Sequence, residues 1–66
     1  MIELYFRAVD DQEGWTEVAE THEKAVSIFQ YHMGGMYDIG SSYAVSGDGI
    51  VTCTLVGATW KELGLD

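Results

Sequence analysis

The residues of this chain whose types could carry chemistry are two histidines, a spaced set of glutamates, a serine pair and one cysteine. A bound metal needs three or four donors converging on one point. His22 and His32 stand ten residues apart in one helical segment, about 15 Å along its axis at 1.5 Å per residue. They cannot share an ion within one chain, and neither a metal site nor a cofactor is expected. Glu17, Glu20 and Glu23 have a spacing that could supply a hydrolytic carboxylate pair, but such glutamates more often line a solvated edge. Ser41-Ser42 has no nucleophile-elbow pattern around it and is tied to neither histidine. Gly34-Gly35 and Gly47-Asp48-Gly49 fall short of a phosphate loop, which needs wider glycine spacing and usually a lysine. Cys53 lies in an apolar run and reads as a small buried hydrophobe. No constellation is complete, so the expectation is a protein that is not an enzyme.

The element that would position any such residues is a helix. Ala25, Ile28, Phe29, His32 and Met33 recur on a 3.6-residue period and form one stripe. Thr21 can cap the free N–H groups of the first turn, and Glu23 suits the positive end of the macrodipole. Gly34 follows the last apolar residue, where a left-handed stop is wanted. A helix of about three turns is marginal alone and must lie on something. His32 beside the stripe reads as a packing residue.

Strands supply that something. Residues 2–9 alternate, with Ile2, Leu4, Phe6 and Ala8 on one face and Glu3, Tyr5, Arg7 and Val9 on the other. Asp10 to Gly14 is a turn. Trp15–Glu20 could be a strand or an early helix, and the better helix start at Thr21 favours the strand. Pairing residues whose numbers sum to 24 sets Arg7 opposite Glu17, Tyr5 opposite Ala19 and Phe6 opposite Val18, which joins opposite charges and apolar groups. Met36–Ser46 reads as a third strand, with Tyr37, Ile39, Ser41, Tyr43 and Val45 on one face and a bulge near Gly40–Ser42. Ser46–Gly49 is the strongest turn signal. Ile50–Ala58 follows as the most β-prone run, with Val51, Cys53 and Leu55 facing one way. Thr59-Trp60-Lys61-Glu62 matches a capping box, with Gly64 as its stop. The expected fold over residues 1–66 is one α+β domain: a four-stranded antiparallel sheet in ββαββ order, one helix on one face and a short C-terminal helical turn.

The formal charge of −8 is the most unusual bulk property. Direct nucleic-acid binding is disfavoured, because phosphate neutralisation needs clustered Lys and Arg. No apolar run reaches the roughly 20 residues that span a bilayer, and the chain opens on a strand pattern rather than a signal peptide. The expected location is cytoplasmic. Asp10, Asp11, Glu13, Glu17, Glu20 and Glu23 form an acidic ridge that suits a basic surface on another protein. Small size, absence of proline and these carboxylates resemble the small phage-encoded inhibitors of bacterial defence, anti-CRISPR and anti-restriction proteins among them. That resemblance implies a host-cell setting and stoichiometric binding to a nucleic-acid enzyme, with carboxylates standing where phosphates would. The second candidate surface is the sheet face away from the helix, displaying Tyr5, Arg7 and Trp15, residue types that dominate interfaces, beside Ser42 and Ala44. Trp60, Leu63 and Leu65 form a further apolar group, either a homodimer contact or a tuck under the sheet edge. A homo-oligomeric accessory protein whose acidity serves only solubility is the alternative reading.

Overall fold

A computed structural model describes residues 1–66. The alternating N-terminal segment forms β1 (Ile2–Ala8), burying Ile2, Leu4 and Phe6 and exposing Glu3, Tyr5 and Arg7. Strand β2 (Trp15–Ala19) returns antiparallel beside it. Helix α1 (His22–Met33) follows, then β3 (Tyr37–Ile39), β4 (Ala44–Ser46) and β5 (Val51–Val56). The sheet has five antiparallel strands in the order β2-β1-β5-β4-β3. Its central pair, β1 and β5, joins the two halves of the chain.

Helix α1 has the limits that its signals predict. Thr21 Oγ1 accepts from Lys24 N at 3.1 Å, and Gly34 N donates to Gln30 O at 2.9 Å at the far end. Ala25, Phe29 and Met33 are buried, at the i, i+4, i+8 spacing that meets a flat sheet, with Ile28 and His32 half-buried beside them. Phe29 is the hub of this face. Its ring stands edge-on to Tyr37, with centroids 4.9 Å apart, and packs on Trp60 at 5.2 Å. No helix is long and apolar enough to cross a membrane.

Two departures from the sequence reading concern strands. The expected third strand is two strands, so the sheet has five rather than four. Gly40 N donates to Tyr43 O at 2.9 Å and closes a hairpin over Ser41-Ser42. That reversal resets the alternation. Tyr37 and Ile39 share the helix face with the buried Ala44, while Val45 turns to the open face. Ala44 is therefore core and not part of the open surface.

The first hairpin is shifted by three. Ile2 faces Ala19, Leu4 faces Glu17 and Phe6 faces Trp15, so paired numbers sum to 21 rather than 24. An odd shift moves every β2 side chain to the other face. Trp15, Glu17 and Ala19 lie on the helix side, and Thr16 and Val18 lie on the open side. Arg7 pairs across to Thr52 of β5 and has no ion-pair partner. Gly14 accommodates this register, because its φ is +70° and a Cβ there would lie 2.4 Å from Phe6 O.

The tail, residues 59–65, is a capped turn closed by one i→i−4 bond, Leu63 N to Thr59 O at 3.2 Å, with no regular helix. The capping box is reciprocal: Glu62 N donates to Thr59 Oγ1 at 3.1 Å and Thr59 N to Glu62 Oε1 at 2.9 Å. Leu65 N to Trp60 O and Gly64 N to Lys61 O, both 3.0 Å, complete a Schellman stop at Gly64, whose φ is +75°. Leu63 is only 8% exposed and belongs to the core, with Trp60 and Leu65 packed against it. Of the two placements expected for this group, the chain shows the tuck for Leu63, while Trp60 and Leu65 stay partly exposed.

The turn into β5 is held by Asp48. Its Oδ1 accepts from Ser46 Oγ at 2.6 Å and Ile50 N at 3.0 Å, while Ser46 Oγ accepts from Val51 N at 3.0 Å. The Ser46 bond, then the Ile50 bond, hold the Asp48 carboxyl below its ordinary range.

Phe29→Ala should cost about 3–5 kcal/mol, the range for a large aromatic removed from a core, read as a lowered urea midpoint. An unchanged midpoint would show that another residue anchors the helix. Asp48 titrates lower in the folded chain than in the unfolded one, so its stabilisation is present above the unfolded value of about 3.9 and is lost as pH falls through the lower folded value. The stability gap between wild type and Asp48→Ala should therefore shrink below pH of about 4. A gap of constant size down to acid pH would show that the carboxylate charge is immaterial to the turn.

Candidate functional site

Six of the eleven acidic residues fall between the β1–β2 loop and the first turn of α1. Asp10, Asp11 and Glu13 lie in the loop entering β2, Glu20 in the turn leaving it, and Glu23 in the first turn of α1. The loop is shaped by two local bonds. Glu13 N donates to Asp11 Oδ1 at 3.0 Å, and the Tyr5 hydroxyl donates to Glu13 O at 2.6 Å. Tyr5 thus ties the loop to the open face of the sheet. None of these five carboxylates has a cationic partner in the chain.

Glu17 differs from them. The hairpin register carries it to the helix side, where its Oε2 accepts from Trp15 Nε1 at 3.0 Å and meets Nε2 of His32. His32 in turn is enclosed by rings: its centroid lies 4.5 Å from Phe6, 5.3 Å from Trp15 and 5.1 Å from Tyr31. Phe6 and Trp15 stack at 5.5 Å beneath it. This cluster closes the gap between β2 and α1, and its Glu17–His32 contact is the only one in the chain between a carboxylate and a basic side chain. Glu17 is consequently a tethered member of the ridge rather than a free one.

Trp15, assigned by sequence to the open sheet face with Tyr5 and Arg7, is separated from them by the register and belongs to the His32 cluster. Tyr5 and Arg7 do share the open face. With Tyr43, Thr52 and Thr54 they line a shallow groove of about 340 Å³. Val18 and Val56, 52% and 54% exposed, flank Glu3 on the same face. Sequence reasoning missed Tyr43 and Val18 because both depend on turns that reset strand parity. The available signal was Ala19: a small residue next to the helix start is easily buried under it, which requires Trp15 and Glu17 to share its face.

A second groove, about 430 Å³, runs beside the cluster and is lined by Glu17, Lys24, Ser27, Ile28, Tyr31 and His32. It contains no nucleophile hydrogen-bonded to a base. Cys53 is fully buried in β5, and burial pushes its thiol up to about 12, so the thiolate is disfavoured. No group of three or more His, Cys, Asp or Glu residues is placed to hold a metal ion.

In a double-mutant cycle, Glu17→Gln and His32→Gln should show a coupling of about 0.5–1 kcal/mol, the range for a partly solvated pair. Additive losses in urea denaturation would show that the pair holds nothing together. Comparison of the chain with protein-family models, with curated proteins and with solved structures finds no match.

Proposed function

We propose that this chain is a non-catalytic protein-binding module whose acidic edge occupies a basic, nucleic-acid-binding site on another protein. The observation that supports this most directly is the set of five carboxylates, Asp10, Asp11, Glu13, Glu20 and Glu23, that flank edge strand β2 in sequence and have no cationic partner in the chain. Clustered like charge costs the free chain some self-repulsion, which an oppositely charged surface relieves. On this reading the protein acts as the small phage-encoded inhibitors of host defence act, by standing in for phosphates, and it works in the host-cell cytoplasm. The homo-oligomeric alternative has less behind it. Each copy carries −8, and Leu63, the centre of the suggested contact, is already buried.

Asp10→Asn, Asp11→Asn and Glu13→Gln together remove three charges while leaving an amide oxygen at position 11 to accept from Glu13 N. The fold should persist, since exposed charges add little to stability. Wild type and triple variant are immobilised and exposed to a bacterial lysate. The wild type should retain basic proteins that duplex DNA displaces and that salt releases, because screening is strong beyond about 8–10 Å, and the triple variant should not retain them. Equal retention by both proteins, insensitive to DNA and salt, would overturn the reading.

A further inference from the structure

The sheet order leaves β2 at one edge and β3 at the other. An edge strand carries a row of N–H and C=O groups with no ladder partner. Outside the ladders of the sheet itself, no backbone hydrogen bond in the chain involves residues 15–20. Strand β3 offers only three residues, whereas β2 offers five, in unbroken register with β1. Common protections of an edge are proline, lysine, a bulge or brevity. The β2 sequence, Trp-Thr-Glu-Val-Ala, contains no proline or lysine and its pairing has no bulge.

One protective feature is present, and it is selective. Glu17 is the central residue of β2. Two copies pairing antiparallel about that centre would place Glu17 beside Glu17, and like charges directly opposite are destabilising. The flanks add to this, since Asp10, Asp11 and Glu13 precede the strand and Glu20 and Glu23 follow it. The flanking carboxylates thus disfavour a second copy at this edge and favour a cationic strand. We propose that β2 is a strand-addition site that receives an extended basic segment of the partner as a sixth strand. This rests on the reading of the acidic edge given above and adds the form the partner takes there.

The register defines the segment. Residues paired with a strand share the face of the residue they oppose. The position opposite Glu17 lies on the helix side, where Oε2 is held by Trp15 Nε1 and His32 and Oε1 is left to accept from Arg or Lys. Its two neighbours lie on the open face beside Thr16 and Val18 and take β-branched residues. The outer positions and their extensions reach the flanking carboxylates and again take Lys or Arg. The pattern is basic, β-branched, basic, β-branched, basic, and its symmetry suits either strand direction. Backbone bonds supply affinity and the alternating side chains supply selection.

The probe is the capped peptide acetyl-Lys-Val-Arg-Val-Lys-amide, titrated into the intact protein at low salt. Two controls carry N-methyl groups, one on both valine amides and one on the lysine and arginine amides, because one of these sets faces β2. Binding should protect backbone amides within residues 15–19 from hydrogen exchange. One N-methylated peptide should bind more weakly by about tenfold or more, as expected when ladder bonds are lost. If both N-methylated peptides bind as tightly as the parent, strand addition is overturned while the acidic-edge reading stands. Protection confined to residues 37–39 would place the partner at the other edge and also overturn the proposal. If no peptide binds but basic proteins are still retained in a charge-dependent way, the strand site is refuted and the acidic surface is kept. Failure of both experiments would refute both.

Discussion

A strand has two faces, and its register with a neighbour decides which side chains occupy each. In this chain Phe6 lies opposite Trp15, and much of the N-terminal half follows from that pairing. It brings Trp15 under His32, carries Glu17 to the helix side and leaves Val18 in solvent. The alternative register joins Arg7 to Glu17 and buries Val18, which looks better pair by pair. The observed register instead stacks Phe6 on Trp15 and buries Ala19 at the helix entry, contacts that the alternative gives up. The cost is a carboxylate on the wrong face, and Trp15 Nε1 and His32 offset it.

The same constraint separates the two surfaces available for binding. One helix covers one face of five strands, so the other face remains open, with Tyr5, Arg7, Tyr43, Val18 and Val56 on it. The edge at β2 joins that face to the acidic loops. Tyr5 connects them physically, since its ring lies on the open face and its hydroxyl holds Glu13 O. A partner seated on the edge meets hydrogen-bonding backbone, carboxylates and an apolar flank within one neighbourhood.

What was legible in the sequence was whatever has a local cause. The helix limits at Thr21 and Gly34, the alternation of β1, the turn at Ser46–Gly49 and the reciprocal bonds of Thr59 and Glu62 all follow from side chains acting on backbone within a few residues. Register was harder to read, because Ala19 was its one local signal and the partner that receives Glu17, His32, lies fifteen positions further on. The β3–β4 hairpin was read as a bulge because Gly40-Ser41-Ser42 suits both, and only the burial of Ala44 with Tyr37 and Ile39 separates them. The tail was ambiguous for a similar reason. Trp60 and Leu63 are apolar whether they meet a second copy or Phe29. The acidic residues were found readily, but their arrangement around an open edge came only with the strand order.

The central pair of the sheet has a consequence in time. Strand β1 is made early and its inner neighbour β5 lies 43 to 53 residues later in the chain, from Ala8↔Val51 to Glu3↔Val56. At about 5–20 residues per second, synthesis takes roughly 2–10 s to supply it. During that interval β1 has β2 on one side and nothing on the other, with Ile2, Leu4 and Phe6 awaiting their cover. Such half-built sheets are the species that associate wrongly. The nascent hairpin and the helix start carry seven carboxylates against two cations, a net negative charge that opposes close association of two half-built sheets. The same acidity thus bears on the chain while its sheet is still incomplete.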